Sequence, residues 1–145
     1  MKVVSATNVG NYRKNNEDSY LINESKNLYI LADGMGGHLA GERASNMATE
    51  IIASDFENAR EVKKIEDAIE ILSSSIRDAN RKIFISSEEH EDYRGMGTTL
   101  SCGIILDDVL VYSNIGDSRI YKINRDMEQI TRDDSFVNYL MEIGE

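Results

Sequence analysis

The stretch Leu28-Tyr29-Ile30-Leu31-Ala32-Asp33-Gly34-Met35-Gly36-Gly37-His38 decides how this chain is read. Its first part, residues 28–32, is almost wholly apolar, as expected of a buried strand. The run then stops on a carboxylate and a glycine-rich turn. An acid at the exit of a hydrophobic strand is held rigidly while its head reaches the end of the sheet. The glycines let the backbone approach a ligand closely and leave carbonyl oxygens open. Asp33 and the carbonyl of Gly34 are therefore candidate hard oxygen ligands for Mg²⁺ or Mn²⁺. The plain alternative is a turn in which the aspartate is only a turn former.

Working outward, residues 18–24 are rich in β-formers, with Tyr20 and Ile22 on one face and Leu21 on the other. Ser25-Lys26-Asn27 reads as the turn between this strand and the next, and residues 2–8 read as a further strand. Two helices follow the glycine-rich turn. Ala40, Ala44, Met47, Ala48, Ile51 and Ile52 recur at helical spacing in the first. Ile65, Ala68, Ile69, Leu72, Ile76, Ala79, Ile83 and Phe84 do so in the second. Each helix has an apolar stripe and a charged back, so each should pack on something flat. Residues 86–97 read as a polar loop. Strands are expected at 98–106, 109–114, 118–123 and near 127–130, with turns at Asp107-Asp108 and Ile115-Gly116-Asp117. A helix is expected from about Ser135, and its stripe of Phe136, Leu140, Met141 and Ile143 needs a cover. The order of strands, two helices, strands and helix predicts an α+β fold with mainly antiparallel sheet.

The chain has 145 residues, 41% of them hydrophobic and 29% charged, which is a globular balance. With 26 acidic against 16 basic residues and a formal net charge of −10, it repels nucleic-acid phosphates, and no nucleic-acid partner is expected. No apolar run approaches the ~20 residues of a membrane span, and no secretory signal opens the chain, so no membrane partner is expected and the cytoplasm is the default compartment. One cysteine, Cys102, excludes an internal disulfide framework and a CxxC metal knuckle. The acidic excess is either a solvated surface or a set of carboxylates converging on divalent cations; spacing separates the two.

Three further strings bear on that choice. In Arg13-Lys14-Asn15-Asn16-Glu17-Asp18 an arginine able to grip phosphate with two parallel hydrogen bonds precedes a pair of acids, one of which would face a metal's water shell. Asn114-Ile115-Gly116-Asp117-Ser118-Arg119 again places an acid in a tight turn, and Asp117 is a further candidate cation ligand. Gly95-Met96-Gly97-Thr98-Thr99-Leu100 opens a strand with small residues that permit close packing; no chemistry is assigned to it. Each string alone is an ordinary turn or loop. Together, in this order and at these separations, the four resemble the metal-dependent, type 2C serine/threonine protein phosphatases, the bacterial branch more closely because Met35 follows Asp33-Gly34.

The resemblance covers residues 7–145 and implies that residues 1–145 form the N-terminal part of a single catalytic domain of that family. It implies an antiparallel β-sandwich flanked by helices in α-β-β-α layers, incomplete at the C-terminus. It also implies hydrolysis of phosphoserine and phosphothreonine in proteins by a metal-activated water, with two Mn²⁺ or Mg²⁺ ions and a weaker third. By motif match, Asp33 bridges two metals, Gly34 gives its carbonyl to one, Glu17 binds through metal-held water, Asp117 serves the third ion and Arg13 grips the phosphate. The implied partners are phosphorylated Ser/Thr proteins and a bacterial Ser/Thr kinase. His38 does not inherit the acid role that the animal enzymes place directly after Asp-Gly, and His90 reads as a surface residue.

The family's later Asp-Gly and Asp-Asn motifs have no match after Asp134, and Asn8 stands where bacterial relatives usually carry Asp. Three explanations stay open: a fragment of a full phosphatase, a short inactive homologue, or two copies that complete each other as a homo-oligomer. The alternative function is an inactive pseudophosphatase that binds phosphoproteins or a partner chain; a purely structural assembly subunit is a third reading.

Overall fold

The computed structural model of the protein describes residues 1–37, 39–59 and 61–134. His38 and the helix expected from Ser135, with its apolar stripe, lie outside the described residues. The chain runs β1 (Asp18–Asn23), β2 (Leu28–Met35), α1 (Ala40–Asn58), α2 (Ile65–Glu89), a 3₁₀ turn (Glu91–Tyr93), β3 (Gly97–Thr98), β4 (Leu100–Leu106), β5 (Val109–Ile115), β6 (Tyr121–Ile123) and β7 (Met127–Gln129). The fold is α+β, with every strand pair antiparallel, as the element order predicts.

One sheet has the order β1-β2-β4-β5, with β3 on the end of β2; β6 and β7 form a separate hairpin. α1 lies on the sheet, and α2 packs largely against α1. Leu28 and Ile30 of β2 and Cys102 and Ile104 of β4 meet Ile52 and Phe56 of α1 and Ala68, Leu72 and Ala79 of α2 in one core. A smaller cluster of Ala40, Ala44, Met47 and Met96 sits near the first turn of α1. α2 starts where the Asp67 carboxylate accepts hydrogen bonds from the Lys64 and Lys63 N–H groups at 3.2 and 3.4 Å, which satisfies donors that a helix start leaves unpaired.

Several expectations change. β2 is buried on alternate residues only, and Leu31 is 48% exposed despite its apolar neighbours. The helices cover one face of the sheet. The other face carries Tyr20, Ile22, Tyr29, Leu31, Leu110 and Tyr112 and opens on a groove of about 550 Å³ bordered by residues 3–6 and 119–121. Residues 2–8 are not a strand: they pair with no strand among the described residues, and residues 3–6 border that groove. Ile65, Ile69 and Phe84 are exposed because α1, rather than a broad flat surface, receives α2. Residues 86–97 are not a loop throughout, since α2 continues to Glu89 and β3 begins at Gly97. The strand expected at 98–106 breaks at Thr99, because β3 and β4 pair with different parts of β2. The strand expected at 118–123 shortens to Tyr121–Ile123. Its first residues serve other bonds: Arg119 grips Asp133 with Nε and Nη2 at 2.8 and 2.6 Å, and the Ile120 N–H donates to Thr131 Oγ1.

Candidate metal centre

The register of the first hairpin builds the site. The chain turns through Glu24–Asn27 with Asn27 at φ 50°, and this turn sets Asn23 opposite Leu28. Counting back along both strands brings Asp18 opposite Asp33. Strand alternation sends both side chains to the face away from the helices, at the end of the sheet where β2 leaves it. Two carboxylates directly opposite each other are unfavourable without a cation between or beside them. The Asp33 carboxyl is accordingly held above the ordinary carboxylate value, first by partial burial and next by the Asp18 charge. A hydrogen bond with Asp18 and the Asp117 charge push the same way, while the Arg13 guanidinium pulls it back. Asp117, on the turn after β5, thus lies within electrostatic reach of Asp33.

The segment before β1 is pinned to the same corner. The Glu17 carbonyl accepts the Gly34 N–H at 3.0 Å and the hydroxyl of buried Ser45 at 2.6 Å. This joins the arginine-bearing loop, the exit of β2 and the second turn of α1 at one oxygen atom. The approach is so close that a Cβ on Gly34 would sit 2.0 Å from the Gly41 carbonyl oxygen and 2.7 Å from the Glu17 carbonyl oxygen. Arg13 Nη1 reaches Glu17 Oε2 at 3.2 Å; Glu17 is largely shielded, whereas the arginine side chain is 66% exposed. The Asp18 N–H donates to Asn16 Oδ1, and Asn16 Nδ2 donates to Thr7 Oγ1, so the loop holds its own shape.

All five residues singled out by sequence, Arg13, Glu17, Asp33, Gly34 and Asp117, therefore lie in one neighbourhood. The structure adds Asp18 as the acid facing Asp33, together with Gly41 and Ser45 as the helix residues that admit and hold Glu17. The mixed-charge string Arg13–Asp18 offered Asp18 only as one of two acids, and its place opposite Asp33 comes from the observed hairpin register; nothing in the sequence alone marks Gly41 or Ser45. The donor chemistry suits Mg²⁺ or Mn²⁺, because carboxylates and a backbone carbonyl are hard oxygen ligands. Among the described residues, no group of three or more His, Cys, Asp or Glu side chains is arranged to hold a metal ion by itself. The corner thus fits as one wall of a cation site.

Cys102 faces the core, 2% exposed, and burial pushes its thiol up to about 12. At neutral pH it stays protonated, so it is no nucleophile for phosphate transfer. His90 is exposed at the end of α2, with Nδ1 3.2 Å from the Ser86 carbonyl oxygen. No helix among the described residues is long and apolar enough to cross a membrane.

Comparison with known proteins bears on the fold and the family. Residues 12–141 match the protein phosphatase 2C family, and the chain belongs to that family. It is 37% identical over 143 residues to a serine/threonine phosphatase, stp, of Listeria innocua, a match covering 96% of this chain and 57% of that protein. A serine/threonine phosphatase structure from S. agalactiae superposes with a TM-score of 0.87 at 36% identity, covering 96% of this chain and 58% of that one. The catalytic domain of the phosphatase PstP, solved in complex with two manganese ions, superposes with a TM-score of 0.79 at 37% identity, over 93% of this chain and 56% of that domain. The chain spans a little more than half the length of these relatives.

Proposed function

We propose that this chain supplies one wall of the metal site of a serine/threonine protein phosphatase, which hydrolyses phosphoserine and phosphothreonine in proteins. The observation that carries the reading is the Asp18–Asp33 cross-strand pair at the open end of β2, with Arg13 beside it. Asp33 and the Gly34 carbonyl would hold divalent cations, with Asp18 and Glu17 reaching their water shell and Asp117 serving a further, weaker ion. Mn²⁺ is the favoured metal, since the similar PstP domain was solved with two manganese ions. Cations held by these residues would supply a water of lowered pKa and would offset charge on the phosphoryl oxygens.

The chain's own residues do the rest. Arg13 has five N–H donors in a planar fork, and Nη1 is its engaged nitrogen, on Glu17. The opposite side of the fork is open to two oxygens of a phosphate monoester, so Arg13 binds and orients the substrate. Glu17 holds the guanidinium in place and is itself fixed to Gly34 and Ser45 through its carbonyl. The substrates are phosphorylated Ser/Thr proteins produced by a Ser/Thr kinase, and residues 1–145 form part of a single catalytic domain.

The test is Mn²⁺-dependent hydrolysis of p-nitrophenyl phosphate and of a phosphothreonine peptide by the full-length gene product. Asp33→Ala is expected to abolish both Mn²⁺ binding and turnover; unchanged Mn²⁺ affinity refutes the assignment. A second reading, a phosphoprotein-binding module without turnover, is favoured for the isolated 145-residue chain by the lack of a three-ligand group among the described residues. Robust Mn²⁺-dependent turnover by that isolated chain would refute it.

A further inference from the structure

We propose that Thr99 and Ser118 form a hydroxyl pair that positions Asp33 relative to the Asp117 turn, and so sets the spacing of two acids that come from distant parts of the chain. The inference rests on the phosphatase reading above and concerns the Gly97-Thr98-Thr99 string, whose small residues the catalytic reading leaves unused. Thr99 lies at the break between β3 and β4. There it clasps the backbone of Asp33 from both sides. The Asp33 N–H donates to Thr99 Oγ1 at 3.0 Å, and the Thr99 N–H donates to the Asp33 carbonyl at 2.9 Å. The Thr98 hydroxyl adds a donor to the same carbonyl at 3.1 Å.

An antiparallel ladder would normally offer the Asp33 N–H a backbone carbonyl. Here a side chain has taken that place, so the Asp33 N–H is held by a hydroxyl while its carbonyl is held by Thr98 and Thr99. The same Thr99 Oγ1 lies 2.8 Å from Ser118 Oγ, and Ser118 follows Asp117 directly. A hydroxyl has one donor hydrogen and two acceptor lone pairs, so Thr99 can accept from Asp33 and still share a hydrogen bond with Ser118. The threonine methyl completes the contact. Gly116, at φ 89°, passes so close that a Cβ there would lie 2.9 Å from Thr99 Cγ2. The turn carrying Asp117 is therefore seated on the methyl of Thr99 and tied to its oxygen, while the other side of that oxygen holds Asp33. Partners that orient metal ligands in this way typically alter metal affinity ~10–100-fold when removed.

The experiment uses the full-length gene product as wild type, Thr99→Val, Thr99→Ser and Ser118→Ala. The readouts are Mn²⁺ affinity by titration calorimetry, melting temperature, and kcat and KM on p-nitrophenyl phosphate. Thr99→Val, which keeps the shape and removes the hydroxyl, is expected to weaken Mn²⁺ binding ~10–100-fold. Its kcat should fall with KM little changed, because Arg13 is untouched. Thr99→Ser is expected to restore most of the affinity. Ser118→Ala leaves the Asp33–Thr99 bonds intact and is expected to weaken Mn²⁺ binding several-fold with an unchanged melting temperature. Should Thr99→Val fail to fold, Ser118→Ala decides alone. Wild-type Mn²⁺ affinity in Ser118→Ala, or equal losses in Thr99→Val and Thr99→Ser, overturns the proposal. A wild type that binds no Mn²⁺ removes the phosphatase reading itself, which is a distinct outcome.

Discussion

Replacing Gly34 by alanine adds one methyl group at the point where β2, α1 and the arginine loop converge. An ordinary carbon-to-oxygen contact is roughly 3.4 Å, in the range where dispersion attraction is best. The added Cβ would stand 2.0 Å from the Gly41 carbonyl oxygen, 2.4 Å from its carbon and 2.7 Å from the Glu17 carbonyl oxygen. All three are backbone atoms, so no rotamer change relieves the clash, and β2 must retreat from α1 by about 1 Å or more. Overpacking of a tight interior costs about 1–3 kcal/mol. The retreat also stretches the Gly34 N–H to Glu17 bond, worth about 1 kcal/mol. Together these give a loss of about 3 kcal/mol, on the order of a hundredfold in the folding equilibrium. Urea unfolding followed by circular dichroism measures it. Gly37→Ala is the internal control, because a Cβ there meets nothing within 4 Å; it should change stability by less than about 0.5 kcal/mol. A Gly34→Ala protein that unfolds at the wild-type urea concentration would refute the close-approach argument.

Further outcomes follow from other features of the site and core. Because partial burial and the Asp18 charge hold the folded Asp33 carboxyl above the ordinary carboxylate range, it opposes folding when ionised and ceases to do so once protonated. In EDTA, Asp33→Asn should stabilise the protein at pH 7 by about 0.5 kcal/mol, the size of a cross-strand like-charge term. The gain should shrink as pH falls through the raised value and vanish below the unfolded one; a pH-independent difference in melting would contradict the raised Asp33 carboxyl. Arg13→Ala should raise KM for phosphothreonine peptides while leaving Mn²⁺ affinity near wild type, and equal kcat and KM values in the two proteins would dismiss its phosphate-binding role. Phe56 is almost fully buried between sheet and helices, so Phe56→Ala should cost about 3–5 kcal/mol in denaturant unfolding, whereas a loss under about 1 kcal/mol would mean that the helix layer does not pack as described.

The two kinds of information divide along distance in the chain. Sequence alone was sufficient for the α+β class, the boundaries of β1 and β2 to within a few residues, the buried stripe of α1 and the glycine-rich exit after Asp33, because these depend on local periodicity and turn chemistry. Arg13, Glu17, Asp33, Gly34 and Asp117 were legible as candidates through short motifs whose order resembles one family. The pairing of Asp18 with Asp33 was not. A turn confined to residues 25–27 would place Asp18 opposite Gly34, and only the observed turn through Glu24–Asn27 shifts the register by one and sets the two acids face to face. The apolar look of β2 suggested burial on both faces, but burial depends on what covers a face, and the helices cover one. Residues 2–8 have strand composition without a ladder partner among the described residues. Gly41, Ser45, Thr99 and Ser118 carry no pattern of their own, because their parts come from meeting residues 17, 33, 34 and 116 across the fold. Local patterns along the chain determine which segments form and what chemistry they can carry. Strand register and the close approach of helix to strand decide which atoms meet, since those distances are set by packing between segments far apart in sequence.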